Sequence, residues 1–377
     1  MAAHVLSRRA LNRALLDRQM LLRRVPLPDG PGRPGRVIET IEHLGGLQAQ
    51  APFPPYYGLW SRLDGFRPDD LAGLLLNRSV VRIALMRGTI HLVSARDCAI
   101  LRPLTQPVLD RPVKALFGAQ LPDVDTGAIA AAGRALVEQQ PLTFSELGTL
   151  LAERWPEHQP GTLANTVRAL VPLVQVPPRA VWGRAGQARH TSAESWLGRP
   201  LDRQPSLAVL VRRYLAAFGP ATVADMQAWS GLTRLREPVE RLRDELRTFR
   251  DEAGRELFDL PGAPRPAGDT PAPVCLAAEF DNLVLGHADR TRVVSDEDRG
   301  RMFTRNGIFP GTVLLDGFVA GMWRIDRSRA AVTLIVEMFR DRVSPGDHDA
   351  IVGAGLRMLA FADPGTPAEV QFGPVVP

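Results

Sequence analysis

SVVRIALMRGTIHLVSA, residues 79–95, reads as two strands meeting at a tight Arg87-Gly88 turn, with Val81, Ile83 and Leu85 alternating along the first. Helical patterns precede it. Val37, Ile38, Ile41 and Leu44 share one helical face, and Gly45-Gly46 supplies a left-handed stop. After Pro54-Pro55, YYGLWSRL gives a short aromatic helix, and FRPDDLAGLLLN gives another, opened by a proline and two acids. Further upstream, residues 5–24 space Leu6, Ala10, Leu11, Leu15, Leu16, Met20, Leu21 and Leu22 for a helix with an arginine-rich outer face, and VPLPDGPGRPGR breaks it off. Helices followed by a hairpin is the order of a winged helix-turn-helix.

The order returns twice downstream. PLTFSELGTLLAERW carries Thr143 and Glu146 at capping-box spacing, then comes a helix in TLANTVRALVPL and a hairpin-like VQVPPRAVWGRAGQARHTS. SLAVLVRRYLAAFGPATVADMQAWSG repeats the box as Thr222 and Asp225, REPVERLRDELRTF predicts a strongly amphipathic helix, and RDEAGRELFDL a short hairpin. From 261 a proline- and glycine-rich linker leads to strand signals in VCLAAEF, RTRVV, GTVLLDGFVAGMW and AAVTLIVEMF and a helix in GDHDAIVGAGLRMLAFA. The predicted class is α+β: three tandem winged helix-turn-helix units, 1–135, 136–200 and 201–262, and an antiparallel β-rich domain over 263–377.

Composition narrows the function. Hydrophobic residues make up 45% of the 377, enough to build large cores, so wholesale disorder is excluded. No run approaches a membrane span, and the arginine-studded start does not read as a signal peptide, so a cytoplasmic protein with no membrane partner is expected. Cys98 and Cys275 stand far apart and the seven histidines lack ligand spacing, so neither a metal nor another cofactor is predicted, and both thiols read as buried and reduced. GxxxxGK[ST], HExxH and GxSxG are absent.

Leu47-Gln48-Ala49-Gln50-Ala51-Pro52 sits between the glycine pair and a proline that favours extended geometry, where residues two apart face one side. Gln48 and Gln50 would then present two uncharged amides together, suited to hold a water or a polar base edge; the plainer alternative is that they satisfy backbone groups at a helix end. All basic residues except Lys114 are arginine, and Arg78, Arg82, Arg87, Arg179, Arg184 and Arg189 fall on predicted turns and hairpins, where wings touch phosphates. A net charge of only +5 argues weakly for nucleic acid by itself. His91 follows the Arg87-Gly88 turn and His287 an apparent strand end, positions where a hydrogen-bonded structural histidine is the plainer reading.

Five stretches together, LSRRALNRALLDRQMLLRR, GGLQAQAPFPPYYGLWSRLDGF, RIALMRGTIHLVSARD, AEFDNLVLGHADRTRVV and GTVLLDGFVAGMWRI, resemble the bacterial winged-helix DNA-binding family that includes the AlkZ and YcaQ DNA glycosylases. Gln48-Ala49-Gln50 matches the Gln-x-Gln motif of its AlkZ-like branch. The resemblance implies three winged helices around a concave DNA-binding face and excision of bulky N7-alkylguanines, including interstrand crosslinks made by natural-product genotoxins, often as self-resistance. It also implies catalytic roles for Gln48 and Gln50, lesion or phosphate contact by His91, and duplex binding by Arg78, Arg82, Arg87, Arg184 and Arg290. The chemistry agrees: alkylation makes guanine a cationic leaving group, so a strong acid is unnecessary and water placement dominates. Lys114, the single lysine, lies in RPVKALF, read as a surface segment, so a hydrolytic, monofunctional route on damaged double-stranded DNA is expected, with the N-terminal amine as the other candidate amine and no protein partner implied. A non-enzymatic winged-helix regulator is the rival reading, and a drug-sequestering resistance protein a third.

Overall fold

Ser7 accepts a hydrogen bond from Ala10 N, and this cap starts helix α1 at Arg8–Arg18, later than the residue-5 start expected. Val5–Leu6 instead form strand β1, parallel to Arg250 and Asp251. The computed structural model describes residues 4–112, 124–302, 309–328, 330–341 and 343–376. Lys114 lies outside them.

Beyond α1 the chain runs through β2 (Val25–Pro26), α2 (Gly32–His43), β3 (Leu47–Gln48), α3 (Pro54–Trp60), β4 (Leu63–Asp64), α4 (Pro68–Leu76), β5 (Val80–Ala84) and β6 (Ile90–Ser94). Helices α5 (Ala95–Leu104) and α6 (Gln106–Pro112) follow. Next come α7 (Thr126–Gln139), α8 (Phe144–Ala152), α9 (Pro160–Leu170), β7 (Leu173–Gln175), β8 (His190–Ser192) and α10 (Ala193–Leu197). A third set is α11 (Leu207–Phe218), α12 (Val223–Ser230), α13 (Arg236–Arg241), β9 (Arg247–Asp251) and β10 (Glu256–Asp259). The C-terminal part holds β11 (Cys275–Ala277), α14 (Asn282–Leu285), α15 (Asp296–Met302), β12 (Gly311–Leu315), β13 (Phe318–Arg327), β14 (Val332–Met338), α16 (Pro345–Ala362) and β15 (Ala368–Phe372).

One connectivity recurs three times: a helix, a short extended contact, two helices and a pair of strands, the short contact lying antiparallel to the last strand. It is made by Gln48 with His91, by Leu142 with His190 and by Ala221 with Phe258. The expected capping boxes at Thr143/Glu146 and Thr222/Asp225 form, with each threonine and acid bonding reciprocally. The first two strand pairs merge into one antiparallel sheet, β3-β6-β5-β7-β8. Both β5 and β6 are buried on both faces, so the alternation along them does not separate core from solvent. The hairpin expected over 250–260 forms, but its first strand starts earlier, at Arg247, inside the stretch read as helix.

Several expectations need correction. Arg13 and Arg18 do not lie on an outer face: both are buried, Arg13 against Asp316 and Arg18 forked onto Asp259 at 2.6 and 2.8 Å. The 260–273 segment is not a free linker, because Arg9, Arg13 and Arg18 donate to the carbonyls of Gly268, Thr270 and Pro264. Helix α2 begins inside the expected loop, and α13 is six residues because the chain turns into β9 at Arg247. RTRVV forms no strand, and β15, unforeseen, pairs parallel to β14 after the α16 crossover, giving the mixed sheet β11-β12-β13-β14-β15. Among the described residues no helix is long and apolar enough to cross a membrane.

Candidate active site

Gly45 and Gly46 stop α2 with φ of 68° and 86°. A Cβ on Gly46 would meet Val93 Cγ1 at 2.7 Å, so only glycine lets the chain pass that close beneath β6. The chain emerges extended: Gln48 pairs with His91, and Ala49 N donates to Ile90 O at 2.7 Å. Pairing then passes to a side chain, as Ile90 N donates to Gln50 Oε1 at 3.1 Å. The two amides meet the same hairpin but not the same environment. Gln48 is buried and Gln50 exposed.

Gln48 Oε1 accepts from Arg87 Nη2 at 2.7 Å. Arg87 occupies the hairpin tip at φ 56°, a left-handed conformation that non-glycine residues seldom adopt. It also donates to Trp229 O at 2.6 Å and Asn282 Oδ1 at 3.3 Å, and Asn282 Nδ2 reaches back to Gly46 O at 3.2 Å. One guanidinium therefore ties β3 to α12 and to α14. Burial and the nearby Arg290 pull the Arg87 pKa down to about 10, so it stays charged at neutral pH, and among the described residues it faces neutral acceptors but no carboxylate. Such a charge favours an arriving anion. Each glutamine carbonyl keeps a second lone pair.

The remaining predicted residues scatter. Arg82 is buried, donating to Ala49 O at 2.6 Å, and His91 is fully buried with Nδ1 3.0 Å from Thr89 O and Nε2 unbonded. The exposed hairpin position expected for Arg82 does not hold, because β5 and β6 are sealed on both faces, and His91, read as a lesion or phosphate contact, is buried on the same hairpin. Both lie behind Gln48 and Ala49 instead. Burial and Arg87 push the His91 pKa down to about 3, so its ring is neutral at physiological pH. Arg78 is exposed over the Trp196 ring at 4.0 Å, and Arg290 is half-buried with its guanidinium 5.9 Å from the Phe309 ring. Arg179 donates to Gly186 O, and Arg189 pairs with Glu146. His287 follows α14 rather than a strand; it is buried, 3.0 Å from Phe218 O. Cys98 and Cys275 are buried free thiols whose pKa values burial raises to about 12.

Sequence reading missed the wall opposite. Ala51, Phe53, Tyr57, Trp182 and Trp323 line a cleft of about 620 Å3, with Arg184, Glu279 and Arg327 also on its lining. Trp182 arrives on the loop joining β7 to β8, held where Tyr56 Oη donates to Ala180 O at 2.7 Å and accepts from Trp182 N at 3.2 Å. Asn282, Glu279 and Asp281 all come from AEFDN, whose acids interrupt an apolar run, the one signal that pointed there.

The family described as DNA glycosylase AlkZ-like matches residues 41–361, which include the glutamine pair, Arg87 and Asn282. The chain belongs to the AlkZ-like DNA glycosylase family. An interstrand DNA cross-link repair glycosylase of Streptomyces sahachiroi is 30% identical over 144 residues, a match spanning 36% of this chain and 38% of that relative's length. The solved structure of the DNA glycosylase AlkZ from the same organism superposes with a TM-score of 0.79 over 98% of this chain and all of that one, at 19% identity, and so shares its fold. Within that AlkZ-like fold, the glutamine pair sits where the first repeat's short strand turns into α3.

Proposed function

We propose that this AlkZ-like protein is a monofunctional DNA glycosylase acting on double-stranded damaged DNA. Its substrates are bulky N7-alkylguanines, crosslinks included, in DNA repair or in self-resistance to a natural-product genotoxin. The observation that carries this reading is the glutamine pair set against a charged Arg87 that has no carboxylate partner among the described residues. Arg87 polarises the Gln48 carbonyl, whose second lone pair holds a water, while the dipoles of both amides stabilise an oxocarbenium-like sugar. The cationic lesion supplies its own leaving group. The three repeated units are read as winged helices over 1–135, 136–200 and 201–262, with the sheet of 263–377 completing the site. Arg78, Arg184 and Arg290 are assigned to the duplex, Arg82 and His91 to supporting β3 from behind.

Incubating the protein with duplexes carrying N7-methylguanine, a bulky aromatic N7 adduct or an N7–N7 crosslink, then cleaving abasic sites with alkali, is expected to release base from all three. Tight binding to one undamaged sequence without release would favour the regulator instead.

The aromatic cleft suits the bulky part of an adduct. Trp182→Ala should lower kcat/KM for the bulky aromatic adduct by roughly 10-fold, the worth of one lost stacking partner, and leave N7-methylguanine release unchanged. Equal loss on both lesions would remove the cleft from substrate recognition.

A further inference from the structure

The hydrolysis proposed above leaves one proton without a destination. The C1′–N9 bond breaks with its electron pair moving onto the purine, which departs neutral, and a water oxygen then bonds to C1′ and sheds a proton. An amide carbonyl can hold that water but is far too weak a base to take the proton. The crevice beside Gln48, about 10 Å3 and so the room of one water, is lined by Gln48, Asn282 and two acids, Glu279 and Asp281. Asp281 is committed, its two oxygens gripped by Arg62 at 2.8 Å each and one of them also by Leu283 N. Glu279 has no hydrogen bond or ion pair among the described residues. It is half-buried, and it lines both this crevice and the aromatic cleft.

We propose that Glu279 is the general base of this site, accepting the proton of the water that Gln48 orients. The assignment rests on the glycosylase reading above. The step is balanced: water oxygen to C1′, water proton to the Glu279 carboxylate, electron pair to N9, and no other reactant is needed. Burial raises the Glu279 carboxyl above the usual glutamate range. The charged and titratable groups facing it are Tyr57 from α3, Arg184 from the loop before β8, Arg327 from β13, Asp363 after α16, and the Arg62–Asp281 pair; none bonds to it. A base must be ionised to work, so activity is present above this raised pKa and is lost as pH falls through it.

The test is single-turnover release of N7-methylguanine from duplex by wild type, Glu279→Gln and Glu279→Asp across pH. Glu279→Gln should lower the rate constant by roughly 100-fold at saturating enzyme, leave the half-saturating concentration unchanged and abolish the acid limb; Glu279→Asp should keep the limb at an intermediate rate. The melting temperature of Glu279→Gln should not fall, because the amide carries no charge to desolvate. A Glu279→Gln rate within about twofold of wild type, too small to mark a lost transition-state interaction, overturns the assignment. So does a slowed variant that keeps its acid limb and melts lower, which marks a structural role. Wild type without release on any lesion overturns the glycosylase reading and this base with it. Release that needs Gln48 and Gln50 but not Glu279 overturns the base alone.

Discussion

Replacing Gln48 and Gln50 together by alanine is expected to cut base release from an N7-alkylguanine duplex by at least about 100-fold, the usual loss when a preorganised dipole is removed from a developing charge. Duplex affinity should stay close to wild type, because the proposal assigns the phosphate contacts to arginines on other elements. The two positions act through different neighbours. Gln48→Ala removes an acceptor from Arg87, a half-buried guanidinium whose other partners are the Trp229 carbonyl and the Asn282 side chain. That charge then turns toward the space proposed for the water, so Gln48→Ala should be the more damaging single change. Gln50→Ala removes the exposed acceptor of Ile90 N, which water can replace, so its effect on stability should stay near 0.5–1.5 kcal/mol, about the worth of one hydrogen bond. Gel-resolved strand cleavage after alkali reads the rate, and a filter-binding titration at fixed salt reads the affinity. Undiminished release by the double variant would remove both glutamines from the chemistry.

How much of this site was legible in the sequence follows from the range of the interactions that build it. The glycine pair, Pro52 and the 79–95 hairpin are local signals, and they placed Gln48 in an extended segment and His91 on a hairpin strand; that the two pair is a tertiary contact no local signal carries. Local signals also found both capping boxes. What they could not show is which face of a strand is sealed. Arg82 and His91 lie in a segment whose alternation suggests one wet face, yet the β7–β8 pair from the second repeat extends the same sheet and the other units cover both sides. That is a contact between residues about ninety positions apart. Arginines 13 and 18 mislead for a related reason. Their carboxylate partners, Asp316 and Asp259, lie more than two hundred residues away, and nothing near α1 announces them. Glu279 escaped notice because its meaning lies in having no hydrogen-bond or ion-pair partner among the described residues, which only the packed chain reveals.

Asp281→Ala should be among the most destabilising single substitutions, costing about 3–5 kcal/mol, the range seen when one member of a buried ion pair is removed. Arg62 and Asp281 are 1% and 4% exposed as side chains and meet through two 2.8 Å bonds. The pair spans 219 residues and pins α14 to the end of α3. Without the carboxylate, Arg62 keeps the Gly58 carbonyl, Ser61 Oγ and Gln19 Oε1, all neutral, and its charge stays buried. Asp281 also caps α14 through Leu283 N, and losing a cap adds about 1 kcal/mol. Urea unfolding should show the loss as a lower midpoint at an unchanged slope. The double variant Arg62→Met, Asp281→Leu should recover most of the stability, since an apolar pair of similar volume avoids the uncompensated charge. Activity should not recover with it: Glu279 and Asn282 share the AEFDN segment with Asp281, and the double variant loses the cap and the fork that set their angle to Gln48. A double variant that regained both stability and base release would show that the ion pair serves the fold alone and that the AEFDN segment finds its catalytic geometry without it.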